Sequence, residues 1–336
     1  MRSFCKFLLR VMRFLLGWLL LLGASAWAFG ALRYDFPIAL LRWPVAILFV
    51  GAALFSLLRV KPRWYAKLGL CAAIALVMAG WFSLQPSNDR PWQPDVAQTA
   101  WAEKNGDEII LHNLRNCDYR TENEYTPHWE TRTVKLSQLT GIDIALNYWG
   151  SEWMAHPILS FQFSDGPPVA LSIETRKEVG ESYSAIGGLY RQFELIYIAA
   201  DERDVLRLRA NYRQGEDLYL YRTTLTPAEA RERFLEYVDS MNEMRDHPRW
   251  YNATTTNCTT AIRSQHTQTK RTPWDWRILL NGKIDKLFFD QGIIATDGLP
   301  FTELKQRALI NAAAQAANDS PDFSKLIRAG RPGFGG

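Results

Sequence analysis

The chain opens with three long apolar runs and continues in text where apolar and polar positions alternate. Nineteen residues, 14–32, pass without a charge, residues 38–58 hold only Arg42, and residues 68–84 are uncharged. About 20 apolar residues cross a bilayer as a helix, so the pattern predicts three transmembrane helices within residues 1–87. A cleaved signal peptide would lead into soluble sequence, whereas here only five residues, 33–37, separate the first run from the second.

Beyond a polar connector containing Pro86, Pro91 and Pro94 the period falls to two. Residues 108–112 and 131–136 predict strands, and the clearest hairpin joins 156–163 to 169–176 through Ser164-Asp165-Gly166-Pro167. Alternation puts Leu159, Phe161 and Phe163 with Leu171 and Ile173 on a core face. His156, Ser160 and Gln162 with Ser172, Glu174 and Arg176 then share a polar face. Further strands are predicted at 193–198, 205–209 and 217–221. Thr226, Pro227 and Glu229 form a capping box before a helix with the stripe Phe234, Tyr237, Val238 and Met241. Thr256 or Asn257 can cap a shorter helix that holds Cys258 in its first turn, and a last helix is expected over 302–318. The expected fold class is therefore α+β: three transmembrane helices over 1–87, a domain over 88–325 around a central antiparallel sheet, and a flexible tail over 326–336.

Charge adds orientation. Four Lys/Arg precede the first run and four lie between the second and third, against Arg33 alone between the first and second. Lys and Arg in short loops stay cytoplasmic, which places the amino terminus inside and everything after the third span outside, in the periplasm of a bacterial cell. Residues 1–67 carry ten basic side chains and one acid, so the remainder, with 29 basic and 34 acidic side chains, is net −5. Such a body offers no phosphate-tracking surface, and nucleic acid is not expected as a partner.

Cys5 and Cys71 fall in or beside the membrane runs and are expected as apolar fillers, leaving Cys117 and Cys258 on the oxidising side. A disulfide between them is one reading. The other makes Cys258 a nucleophile, because the first turn of a helix offers unpaired N–H groups and a positive dipole end that favour thiolate. A thiolate needs a base and an orienting group. His112, His128, His247 and His266 lie in strand-edge, loop or helix-end contexts, whereas His156 starts a strong strand with Ser172 and Glu174 on its neighbour. No spacing fits a zinc or calcium loop, and no cofactor is expected.

Several of these segments recur in order in one family. Asn113-Leu-Arg115-Asn116 with Asp118-Tyr119-Arg120, Ala155-His156-Pro, Ser172-Ile-Glu174, Asp201-Glu-Arg203-Asp204 and Asn257-Cys258-Thr-Thr resemble the periplasmic domain of the Lnb-type lipoprotein N-acyltransferases. Cys117 departs from the pattern, which has an aromatic residue there. The resemblance implies a circularly permuted NlpC-type, papain-like thiol fold in the periplasm, on the inner membrane. It implies Cys258 as nucleophile, His156 as base and Glu174 as orienting group, with Arg115, Tyr119, Arg120, Ser172, Arg203 and Asn257 as candidate substrate contacts. The activity implied is transfer of an acyl chain, through a Cys258 thioester, to the N-terminal amine of a lipoprotein. Lipoproteins and membrane lipid acyl chains would then be the partners. A cysteine peptidase or amidase acting on cell-wall peptide, and a non-catalytic, disulfide-stapled binding module, are the other readings.

Overall fold

The computed structural model describes residues 2–265, 274–278 and 280–335. His266 lies outside them. The apolar runs form helices α1 (Arg2–Asp35), α2 (Arg42–Arg59) and α3 (Arg63–Ser83), and all three are long and apolar enough to cross a membrane. Most of their large apolar side chains face outward, as a lipid solvent requires.

The chain divides into two compact units. The first comprises Met1–Pro86 with two short excursions, Tyr183–Phe193 and Trp250–Ala253. Within it, Arg191 donates to the carbonyls of Trp81 and Leu84 at 2.8 and 2.9 Å, satisfying backbone acceptors that the end of α3 leaves open. Its own N–H donates to Asp35 at the end of α1.

The second unit holds the sheet. Its strands are β1 (Trp101–Asn105), β2 (Glu108–Arg115), β3 (Asp118–Tyr119), β4 (Tyr125–Thr126), β5 (Trp129–Lys135), β6 (Leu139–Trp149), β7 (Ala155–Phe163), β8 (Val169–Arg176), β9 (Glu194–Ala200) and β10 (Glu216–Arg222). The main sheet runs β1-β2-β9-β8-β7-β6-β10, with β5 also on β2 and β3-β4 a separate pair. Every pairing is antiparallel except a short β2–β9 contact. The fold is α+β with a mostly antiparallel sheet, as the pattern predicts, and the β7–β8 register sets Leu159 opposite Leu171 and Ile158 opposite Ser172.

Both faces of the hairpin are covered, which corrects the expected polar face. Phe161 and Phe163 pack edge-on against Phe234 of α5 (Pro227–Asp246), the helix begun by the Thr226 capping box. Ile158 and Ala170, on the other face, pack against Val205, Leu206, Phe323 and Ile327. On that face Ser160, Ser172 and Arg176 are buried and His156, Gln162 and Glu174 half-buried.

Three element predictions change for identifiable reasons. Residues 205–209 are helical, in α4 (Glu202–Arg207) and a following π-turn, because the Asp201 carboxylate accepts from the Arg203 N–H and caps the helix while Val205 and Leu206 enter the core. The last helix is two, α8 (Phe301–Ala308) and α9 (Asn311–Ala316), because the Ile310 N–H is taken by Leu218 of β10. The expected flexible tail instead packs: Ile327 is buried and Arg328 pairs with Asp143 and Glu202, two carboxylates sealed in the interior.

Candidate functional site

Cys258 is the first residue of α6 (Cys258–Gln265), and the preceding Asn257 is its cap: Oδ1 accepts from the Thr260 N–H at 2.9 Å. α6 packs against β7 and β8, the strands that carry His156, Ser172 and Glu174. The Sγ atom is buried with the Asn281 amide at 3.7 Å and the Thr259 hydroxyl at 3.8 Å. Asn281 also accepts from the N–H of Ala155, the residue before His156, so one amide spans the thiol and the start of the histidine strand. Gly282 makes this bridge possible, since a Cβ there would sit 2.4 Å from the Glu152 carbonyl oxygen.

His156 lies in a linear relay. Its Nε2 shares a 2.7 Å hydrogen bond with Ser172 Oγ, Ser172 donates to Glu174 Oε1 at 2.8 Å, and Arg209 donates to the same carboxylate at 2.7 Å. Nε2 stands 3.9 Å from Glu174, so Ser172 makes the direct contact and the carboxylate acts behind it. The second ring nitrogen, Nδ1, has no hydrogen bond among the described residues, and none joins the ring to Cys258 Sγ.

Electrostatics fix the resting state. Burial pushes the Cys258 thiol up to about 11, against the hydrogen bonds at Thr259 that lower it. Burial and then the Arg209 charge push the His156 imidazole down to about 3. Burial also opposes ionisation of Glu174, but Arg209, His156 and Arg115 outweigh it and hold the carboxyl well below its usual range. At neutral pH the site therefore holds a thiol, a neutral imidazole and a carboxylate. The helix start does not make a free thiolate here, which corrects that expectation, because desolvation of the sulfur outweighs the dipole. Alkylation of Cys258 by iodoacetamide, followed by peptide mapping, should be slow at pH 7 and keep accelerating above pH 9. A rate already at its plateau by pH 7 would contradict the burial argument.

The other candidates lie elsewhere. Arg115 is fully buried, with Nε and Nη2 on Asp204 at 3.1 and 2.8 Å. Tyr119 is buried against Tyr125, and Arg120 is exposed on Glu124 and Thr126. Arg203 lines a separate open cleft of about 510 Å³ together with Asn116, Cys117, His128 and Trp129. Cys117 and Cys258 are both free thiols, so the disulfide-stapled reading is not what the structure contains. Sequence reasoning missed Arg209 and Asn281. A strand reading aims Arg209 outward, and the only local signal for Asn281 is the Asn-Gly pair that allows a close backbone approach.

These observations define a membrane protein whose α+β domain holds a buried thiol at the start of a helix. Residues 125–282 match the family described as the Lnb N-terminal periplasmic domain. The matched segment contains His156, Ser172, Glu174, Cys258 and Asn281, but not Arg115, Tyr119 or Arg120. No curated protein and no solved structure matches the chain.

Proposed function

We propose that the protein is a thiol acyltransferase of the bacterial inner membrane, with a papain-like outer domain, that acylates the N-terminal amine of lipoproteins. The observation that carries this reading is the placement of Cys258 at the head of α6, beside the Asn281 amide and against the strands bearing the His156–Ser172–Glu174 relay, in a chain with three membrane-spanning helices. In the first half-reaction His156 takes the thiol proton as Cys258 Sγ attacks the ester carbonyl of an acyl donor. The thioester forms, the ester C–O bond breaks and the leaving alkoxide takes the proton back from His156. In the second, the amine attacks the thioester carbonyl, the C–S bond breaks, and the amine's proton passes through His156 to the departing sulfur. The imidazole is neutral in the resting site, so its ring carries a lone pair for the thiol proton, but burial makes it a weak base there, and the thiolate formed beside it is what favours the imidazolium. The Asn281 amide and the N–H groups of the first turn of α6 are the donors for the developing oxyanion.

The acyl donor and the amine both belong to lipid-anchored molecules, and a membrane-tethered domain shortens the path of each. Expression in a host lacking other N-acylation should shift the N-terminal peptide of its lipoproteins by the mass of one acyl chain. Unchanged N-termini, with cell-wall peptides newly cleaved instead, would favour the hydrolase reading.

A further inference from the structure

Four large apolar side chains stand in solvent around the residues that hold Cys258. Trp153 and Met154 end the loop between β6 and β7, directly before Ala155, and Trp276 and Leu280 precede Asn281; all four are between 42% and 53% exposed. The Trp153 and Trp276 rings lie 6.4 Å apart. The patch is joined to the site by backbone, because the Gly282 N–H donates to the Trp153 carbonyl at 3.0 Å while the adjacent Asn281 contacts Ala155 and Cys258. Anything that covers the patch therefore sits beside the segment that brings Asn281 to Cys258.

The exposed indoles select the cover. Lys283 Nζ sits 4.6 Å from the centre of the Trp153 ring and 2.7 Å from the Glu152 carboxylate, and the Arg263 guanidinium lies 5.7 Å from the centre of the ring of Trp274, itself exposed. Indoles with cations beside them suit the boundary between headgroups and acyl chains, where one side of the ring is apolar and the other wet. The same chain carries three helices able to cross a membrane, so a bilayer is always at hand.

We infer that the Trp153–Met154–Trp276–Leu280 patch inserts into the headgroup–acyl boundary of the bilayer and is the surface over which lipid reaches Cys258. The insertion stands on the patch itself; only its use as a substrate path rests on the acyl-transfer reading.

The full-length chain is reconstituted in nanodiscs of phosphatidylethanolamine and phosphatidylglycerol, with p-benzoylphenylalanine in place of Trp153 or Trp276, and irradiated. Intact mass should show phospholipid adducts at both positions, at least about fivefold above the same probe at the exposed Leu326. Lipid adducts no more frequent than at position 326, or adducts to polypeptide alone, overturn the inference. The Cys258→Ala background should give the same adducts, so a failure here is distinguishable from a failure of acyl transfer.

Discussion

Replacing Cys258 by alanine is expected to abolish N-acylation by the full-length protein, and His156→Gln to slow it by at least about 10³-fold. In the proposed mechanism each residue performs one part of a single act. Without the sulfur there is no acyl-enzyme. Without the imidazole, a thiol held near 11 by burial is almost entirely protonated at pH 7 and attacks too rarely to matter. The double variant should be no slower than Cys258→Ala, because two groups that move one proton fail together rather than additively. With donor but no amine present, the parent should accumulate a Cys258 peptide heavier by one acyl group, and neither variant should. Substantial turnover by Cys258→Ala would rule out covalent catalysis at this position. Neither change removes an ion-pair partner, so both variants should unfold within about 2 kcal/mol of the parent.

The parts of this site that were legible in the sequence are those fixed by neighbouring residues. Ser164-Asp165-Gly166-Pro167 pins the turn, so alternation alone puts His156, Ser172 and Glu174 on one face of β7 and β8. The Thr226 box and the Asn257 cap are similarly local. What could not be read depends on distant packing. Val205-Leu-Arg-Leu-Arg209 alternates like a strand, yet Asp201 caps it as a helix and the core takes Val205 and Leu206 as consecutive helical positions, which turns Arg209 inward onto Glu174. The C-terminal residues carry four glycines that suggest fraying, but the sealed carboxylates of Asp143 and Glu202 need a counter-charge, and Arg328 supplies it. Burial of the sulfur is likewise invisible in a motif, and it reverses the thiol's expected acidity.

Glu174→Gln is expected to damage both stability and turnover, and the two effects can be separated. The carboxylate is the partner of Arg209, whose guanidinium is buried, so neutralising it strands a charge in the interior at a cost of about 3–5 kcal/mol in denaturant unfolding. The sign with pH follows. The folded-state carboxyl titrates well below its ordinary 4.5, so its contribution is fully present above that value and is lost as pH falls through the folded value. The variant should lack that part of the parent's acid dependence. Ser172→Ala removes the hydrogen bonds to His156 Nε2 and to Glu174 Oε1 but leaves Glu174 on Arg209, so its stability loss should be about 1–2 kcal/mol. If the relay orients the imidazole, Ser172→Ala should still lower kcat by about 10–100-fold, with KM little changed. Adding Arg209→Met to Glu174→Gln removes the stranded charge and should recover most of the stability, but not the rate. Recovery of both would reduce Glu174 to a counter-ion for Arg209, and His156 would then be oriented by Ser172 alone.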